Sequence, residues 1–237
     1  VSHYVKPGSA LDEEARKRGN STYLVDRVVP MLPEALSNEL CSLKPHMDRL
    51  SKCVEFLIDK DGRVMRTRCY SAVIHSKLRY SYEEAMAVLE RRPENQIEDM
   101  LCDAARLALK IRKRRFQTGS LELDFPETKI RLDDHGRILR IEKVEYDESH
   151  QLIEEFMLLA NEAVATRLIK MKKHTIHRVH ESPDAARLAE YREEVLGHNI
   201  SCGNLEKTIE VQKLLRRLAK LPIGAALKIG SVSYTHL

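Results

Sequence analysis

Apolar positions along this 237-residue chain switch between a period of two and a helical period. Residues 54–58 and 64–74 alternate as strands do and flank Asp59-Lys60-Asp61-Gly62, which predicts a β-hairpin. A second hairpin is predicted from residues 128–132, Asp133-Asp134-His135-Gly136 and residues 138–146. The acidic pair stands where a turn needs polar side chains, so it is read as turn and not as a metal site. Between the hairpins, Ser81 to Glu84 forms a capping box that opens a short helix. Residues 97–116 then place Met100, Leu101, Ala104, Leu107, Ala108 and Ile111 on one helical face. Further helices are predicted at about 147–172, 183–196 and 205–219, the second with Ser182 as N-cap and Pro183 at the first helical position. At the start, VSHYV has strand character, and residues 12–17 form a charged helical turn broken by Gly19-Asn20. Mixed hairpins and helices give the α+β class, as one domain or a large part of one.

One stretch obeys neither period. YLVDRVVPMLPEALSNELCSL, from Tyr23 to Leu43, contains Pro30 and Pro33, which fix φ and remove two backbone donors. The segment is expected to run extended over a surface or along a groove, holding the Tyr23 ring ahead of a turn packed by Leu36, Leu40 and Leu43.

The helix predicted at 147–172 is unusual in being apolar around much of its circumference, with Ile153, Phe156, Met157, Leu159, Ala160, Ala163 and Val164. A central, buried helix is expected. Glu154 and Asn161 are seven residues apart and share a face. A carboxylate there needs a partner, because a buried unpaired charge is expensive. Two readings stand side by side: a salt bridge to an arginine, or a polar cleft in which Glu154 accepts from a ligand hydroxyl. Glu155 points elsewhere and is expected to be exposed.

Composition narrows the class. Charged residues make up 32% of the chain, the net charge is +4, and there is no tryptophan. The positive charge gathers at Lys110–Arg115, at Lys170, Lys172 and Lys173, and at Lys213, Arg216, Arg217 and Lys220. Each run sits near a predicted helix end and is read first as a complement to the helix dipole, with a phosphate-tracking surface as the functional alternative. Cys41, Cys53, Cys69, Cys102 and Cys202 are widely spaced without a CxxC pair, against both a disulfide framework and a zinc site. His174, His177 and His180 lack the i, i+4 spacing of zinc helices, and no metal is assigned to them. No apolar run approaches the roughly 20 residues of a membrane span, and Val1 does not open a signal peptide. A reduced, cytoplasmic setting is expected. Glycine-rich phosphate loops and G-x-S-x-G are absent. The residues alone lead to an α+β protein with a fixed aromatic, a polar-faced helix and basic patches.

Longer motifs carry a resemblance. VSHYVKPGSALDEEARKRG, the Tyr23–Leu43 stretch, IHSKLRYSYEEA, GSLELDFPE, LIEEFMLLANEAVA and HRVHESPD follow one another as in the catalytic domain of the ribonuclease II/ribonuclease R (RNB) family. The chain resembles the ribonuclease R branch more than the ribonuclease II branch, over residues 1–230. The resemblance implies a 3′→5′ exoribonuclease that hydrolyses single-stranded RNA processively to nucleoside 5′-monophosphates, acting from the RNA 3′ end as a monomer with Mg²⁺ in a two-metal mechanism. It implies that Tyr23 stacks on the terminal base, a sequence-tolerant contact. It also implies that Glu154 contacts the sugar near the 3′ end, where accepting from a 2′-hydroxyl would favour RNA over DNA.

Three departures qualify this. The family's metal-binding aspartates, spaced Asp-x5-Asp-x-Asp-Asp, would precede Val1, and that spacing occurs nowhere in the 237 residues. Leu123 stands where relatives carry an RNA-gripping phenylalanine. After LKIG, the family's further helix and its YTHFTSPIRRY-like motif give way to residues 231–237, an unmatched tail with no function assigned and truncation as one origin. The expectation is therefore a fragment of a catalytic domain, without activity alone. The alternative is a non-catalytic RNA-binding or scaffolding homologue of the same fold.

Overall fold

The computed structural model describes residues 1–121, 128–133, 135–143, 146–177, 179 and 182–235, the side chains of 232–235 excepted. Its elements run α1 (Ala10–Arg18), β1 (Thr22–Tyr23), β2 (Val28–Val29), a π-helical segment Ala35–Leu40, β3 (Asp48–Ile58) and β4 (Val64–His75). They continue through α2 (Tyr82–Leu89), α3 (Gln96–Gln117), β5 (Thr128–Leu132), β6 (Ile138–Lys143), α4 (Glu148–Lys170), α5 (Ala185–Gly197), α6 (Thr208–Leu218) and α7 (Gly224–Thr235). Helices and paired strands coexist as the α+β reading requires. Among the described residues the strands form three two-stranded sheets, β1–β2, β3–β4 and β5–β6.

The two long hairpins close by the same device. Asp59 Oδ1 accepts from the backbone N–H groups of Asp61 (2.9 Å) and Arg63 (2.8 Å). Asp133 Oδ1 accepts likewise from His135 (2.9 Å) and Arg137 (2.8 Å). In both, the fourth residue is a glycine at positive φ, 78° at Gly62 and 74° at Gly136, where a side chain would strain the backbone. The acidic residue that could be mistaken for a metal ligand is thus used to shape the turn; Asp134 lies outside the described residues.

Four local expectations change. VSHYV forms a turn, with Tyr4 and Val5 N–H groups donating to the Val1 carbonyl at 2.9 and 3.0 Å; strand propensity counts only where a partner strand is available. The Tyr23 segment is not simply extended: Tyr23 pairs with Val28 and Thr22 with Val29 in a small antiparallel ladder. Of the three leucines that follow, Leu36 alone is buried, while Leu40 and Leu43 are exposed. Finally, α5 is capped by Asp184, whose carboxylate accepts from Ala186 and Arg187 N–H groups, rather than by Ser182. Both residues satisfy capping rules, and the carboxylate gains from the helix dipole.

Two compact units are distinguished. The first comprises Val1–Leu57, Val64–Ala105 and Pro126–Val164. Its buried apolar side chains include Leu36, Val88, Ala105 and Leu152. Here α4 departs from the central, buried helix expected of it. Ser149, Leu152 and Glu155 form its buried stripe, while Ile153, Met157 and Val164 are 49%, 55% and 39% exposed. Apolar residues distributed all round a helix cannot all meet one packing surface.

The second unit comprises Ile58–Arg63, Arg106–Phe125 and Ala165–Leu237. Leu188, Tyr191, Val195, Ile200, Leu205, Val211, Leu214, Leu215, Leu218 and Leu227 form its core, with Leu121 and Cys202 against it. Full burial of each large aliphatic side chain contributes roughly 1.5–3 kcal/mol. The end of α3 is tied to this core: Gln212 Nε2 donates to the carbonyls of Phe116 in its last turn (2.7 Å) and of Ser120 just beyond it (2.9 Å). Gly62 lies in this unit too, where a Cβ would sit 3.3 Å from the Lys110 carbonyl group, so the glycine allows the turn to approach the helix backbone.

Candidate functional site

The N-terminus of α4 is where polar and aromatic side chains converge. Asp147 immediately precedes the helix, and its Oδ1 accepts from Ser149 N (3.0 Å), Ser149 Oγ (2.6 Å), His150 N (3.3 Å) and His150 Nδ1 (2.9 Å). The two backbone bonds make it the N-cap of the helix. Burial pushes the Asp147 carboxyl up, but the hydrogen bonds from Ser149 and His150 outweigh it and hold the group below the usual aspartate range. An ionised carboxylate only accepts, so His150 Nδ1 carries the proton in this pair.

His150 is fixed on its face as well as its edge. The Tyr82 ring stacks on the imidazole, with centroids 3.8 Å apart and planes 16° from parallel. Tyr82 is itself placed by the capping box read from the sequence: Glu84 N donates to Ser81 Oγ (3.2 Å) and Ser81 N to Glu84 Oε2 (2.7 Å). Tyr82 is therefore the first residue of a capped helix, with little freedom in its backbone. Beside it, the Glu83 carboxyl is held low by its own backbone N–H, then by the Ser81 hydroxyl, with His150 adding a favourable charge interaction.

Glu154 lies one turn beyond His150 and is half-buried. The Tyr146 hydroxyl donates to its Oε2, and the Tyr146 ring leans on His150 at 5.8 Å and 38°. Tyr146, His150 and Glu154 thus share one edge of the helix start, at i, i+4 and i+8. Glu155 is the corrected residue: it is 1% exposed, not an outward-facing partner. Among the described residues no buried side-chain nitrogen or oxygen lacks a hydrogen-bond partner, so its carboxylate is satisfied. Asn161, seven residues from Glu154, is exposed.

Of the two residues singled out from sequence, the structure pairs Glu154 with Tyr146, whose ring lies beside His150, itself stacked by Tyr82. It places Tyr23 on β1 with its ring 79% exposed, presented rather than packed. Sequence reasoning missed Tyr82, Tyr146, Asp147 and His150. The spacing of Tyr146, His150 and Glu154 was a usable signal; the pairing of His150 with Tyr82 was not.

The basic runs fall where helix dipoles favour them: Arg114 and Arg115 in the last turn of α3, Arg167 and Lys170 in that of α4, Arg216 and Arg217 in that of α6. Arg112 and Arg115 also lie over the Phe116 ring, at 4.7 and 5.1 Å. Among the described residues no group of three or more His, Cys, Asp or Glu side chains could hold a metal ion. The divalent ions implied by the resemblance find no donor set there. Leu123 and His180 lie outside the described residues. No described helix is long and apolar enough to cross a membrane.

The chain as a whole resembles known proteins. The sequence profile of the RNB domain matches residues 1–229. Ribonuclease R of Thermotoga maritima is 39% identical, in an alignment that covers 100% of this chain and 37% of that protein. The solved structure of Mycoplasma genitalium RNase R in complex with ribose methylated single-stranded RNA superposes with a TM-score of 0.93 at 32% identity, covering 100% of this chain and 38% of that one. Yeast Ssd1, a pseudonuclease, shares the fold with a TM-score of 0.78 at 19% identity. The chain thus spans little more than a third of the length of the ribonuclease R relatives it matches.

Proposed function

The chain belongs to the RNB domain family, and from that premise we propose that residues 1–230 are part of the catalytic domain of a 3′→5′ exoribonuclease acting on single-stranded RNA. The observation that carries this is the likeness over the whole chain to a ribonuclease R solved with single-stranded RNA. The whole enzyme hydrolyses RNA processively to nucleoside 5′-monophosphates, uses Mg²⁺ and works as a cytoplasmic monomer. All five cysteines are free thiols, which accords with a reducing compartment. An exposed Tyr23 ring suits stacking on a terminal base of any identity. A half-buried Glu154 suits acceptance of a ribose hydroxyl. Without the Asp-x5-Asp-x-Asp-Asp cluster, the 237 residues bind RNA and do not cleave it.

The test uses a uniformly labelled single-stranded RNA with and without Mg²⁺. Binding without release of nucleoside monophosphates is expected. Mg²⁺-dependent release overturns the expectation of inactivity, and failure to bind overturns the RNA reading. A second reading, a non-catalytic RNA-binding homologue, draws on the fold shared with a pseudonuclease, since fold does not fix activity. The two part at the coding frame ahead of Val1, where the enzyme requires the aspartate cluster and the binding homologue does not.

A further inference from the structure

We propose that Tyr146 is a positioning residue that sets the Glu154 carboxylate for a ribose hydroxyl, and so governs how strongly the site prefers a ribose end over a deoxyribose end. The inference rests on the reading of Glu154 as sugar-facing. Its basis is a chain of contacts with a fixed end. Asp147 holds His150 by Nδ1 at 2.9 Å, Tyr82 covers the imidazole at 3.8 Å, and the Tyr146 ring rests on that same imidazole. The phenol hydroxyl at the end of this series donates to Glu154 Oε2.

A glutamate at a helix surface samples several rotamers, and ordering it on binding a ligand opposes affinity. Tyr146 removes that cost before any ligand arrives. A carboxylate offers about four lone-pair sites on two oxygens, so a bond from the phenol and a bond from a sugar hydroxyl can coexist on it. The aromatic column fixes where the phenol is, and the phenol fixes where the carboxylate is. Discrimination follows because a 2′-hydroxyl finds an acceptor already aimed, while a 2′-deoxy sugar gains nothing from it.

The experiment measures fluorescence anisotropy of the full 237-residue chain with two 5′-fluorescein single-stranded RNAs that differ only in a ribose or 2′-deoxyribose at the 3′-terminal nucleotide, in EDTA. The unmodified chain is expected to prefer the ribose end on the order of 10-fold, the scale of one hydrogen bond to a charged group. Tyr146→Phe keeps the ring on His150 and removes only the hydroxyl. It is expected to bring the ratio to within about 3-fold of one, through weaker binding of the ribose end. Glu154→Gln is expected to do the same, and the far-UV circular dichroism of both variants to stay unchanged. If Glu154→Gln loses the preference while Tyr146→Phe retains it, the positioning role is overturned and the Glu154 reading stands. A ratio that rises in Tyr146→Phe also overturns it, because the phenol would then compete with the sugar. An unmodified chain that does not distinguish the probes, or a Glu154→Gln variant that still does, overturns the Glu154 reading and the positioning role together.

Discussion

The Tyr191 hydroxyl donates to the Leu227 carbonyl oxygen at 2.8 Å, joining α5 to α7 inside the second unit. Tyr191 is 1% exposed, and burial pushes its phenol up to about 12. The neutral phenol is therefore the form the fold accepts. The folded pKa stands above the unfolded value near 10, so this contribution is complete below about pH 10 and is lost as pH rises towards 12. Urea midpoints measured from pH 8 to 11 are expected to fall above pH 10. Tyr191→Phe should lower stability at neutral pH by about 0.5–1.5 kcal/mol, through loss of a buried hydrogen bond, and should flatten the alkaline decline.

Three glycines of the same unit separate sterics from flexibility. A Cβ on Gly224 would fall on the Leu218 carbonyl oxygen, where backbone leaves no room to give way. Gly224→Ala is expected to destabilise by about 3 kcal/mol or more, at the upper end of overpacking. A Cβ on Gly203 would meet the carboxylate end of Glu210, which can swing aside, and Gly197 has nothing within 4 Å. Gly203→Ala should therefore cost well under half as much, and Gly197→Ala at the end of α5 should be neutral or stabilising by up to about 1 kcal/mol. Denaturant titration of the three variants checks the order.

Local rules were legible where the physics is local. Asp59 and Asp133 announce their turns because an aspartate followed at the third position by glycine closes a turn with its own neighbours. Ser81 and Glu84 announce a cap for the same reason. What escaped the sequence depends on packing. Ser182 and Asp184 compete for one helix start, and only the folded backbone selects between them. Glu154 and Glu155 are adjacent and alike, and which one is buried depends on what lies beside α4. The stack of Tyr82 on His150 joins two helix starts far apart in the chain, and no periodicity reports it. Glu154 was readable as a candidate; the aromatic and acidic groups that hold its surroundings were not.

Asp147 both caps α4 and bonds the His150 ring, and acid pH tests what that carboxylate contributes to stability. Its carboxyl is held below the ordinary aspartate value of about 3.9. A depressed carboxyl contributes stability that is complete above that value and is lost as pH falls through the lower folded one. Asp147→Ala should cost about 0.5–2 kcal/mol near neutrality through loss of the cap on α4. The difference between the unmodified chain and this variant should shrink below pH 4. Asp147→Ser should recover most of the stability, since serine also caps. Thermal melts across the acid range measure this, and a carboxyl ¹³C titration of Asp147 by NMR gives the midpoint directly.

Tyr23 offers the cleanest separation of function from folding, because its ring is 79% exposed and contributes little to packing. Tyr23→Ala should leave the melting temperature within a degree or two, the scale of an ordinary surface change. Single-stranded RNA binding should weaken by about 1–3 kcal/mol, or roughly 5- to 150-fold, if one base stacks on the ring. Tyr23→Phe and Tyr23→Trp keep a π face and should retain binding within about 3-fold. The loss in Tyr23→Ala should be nearly equal for 3′-terminal adenine and uracil, because stacking reads a face and not a hydrogen-bonding edge. An alanine variant that binds RNA as the unmodified chain does would remove Tyr23 from the site, while a loss confined to one terminal base would assign it a readout role that stacking does not explain.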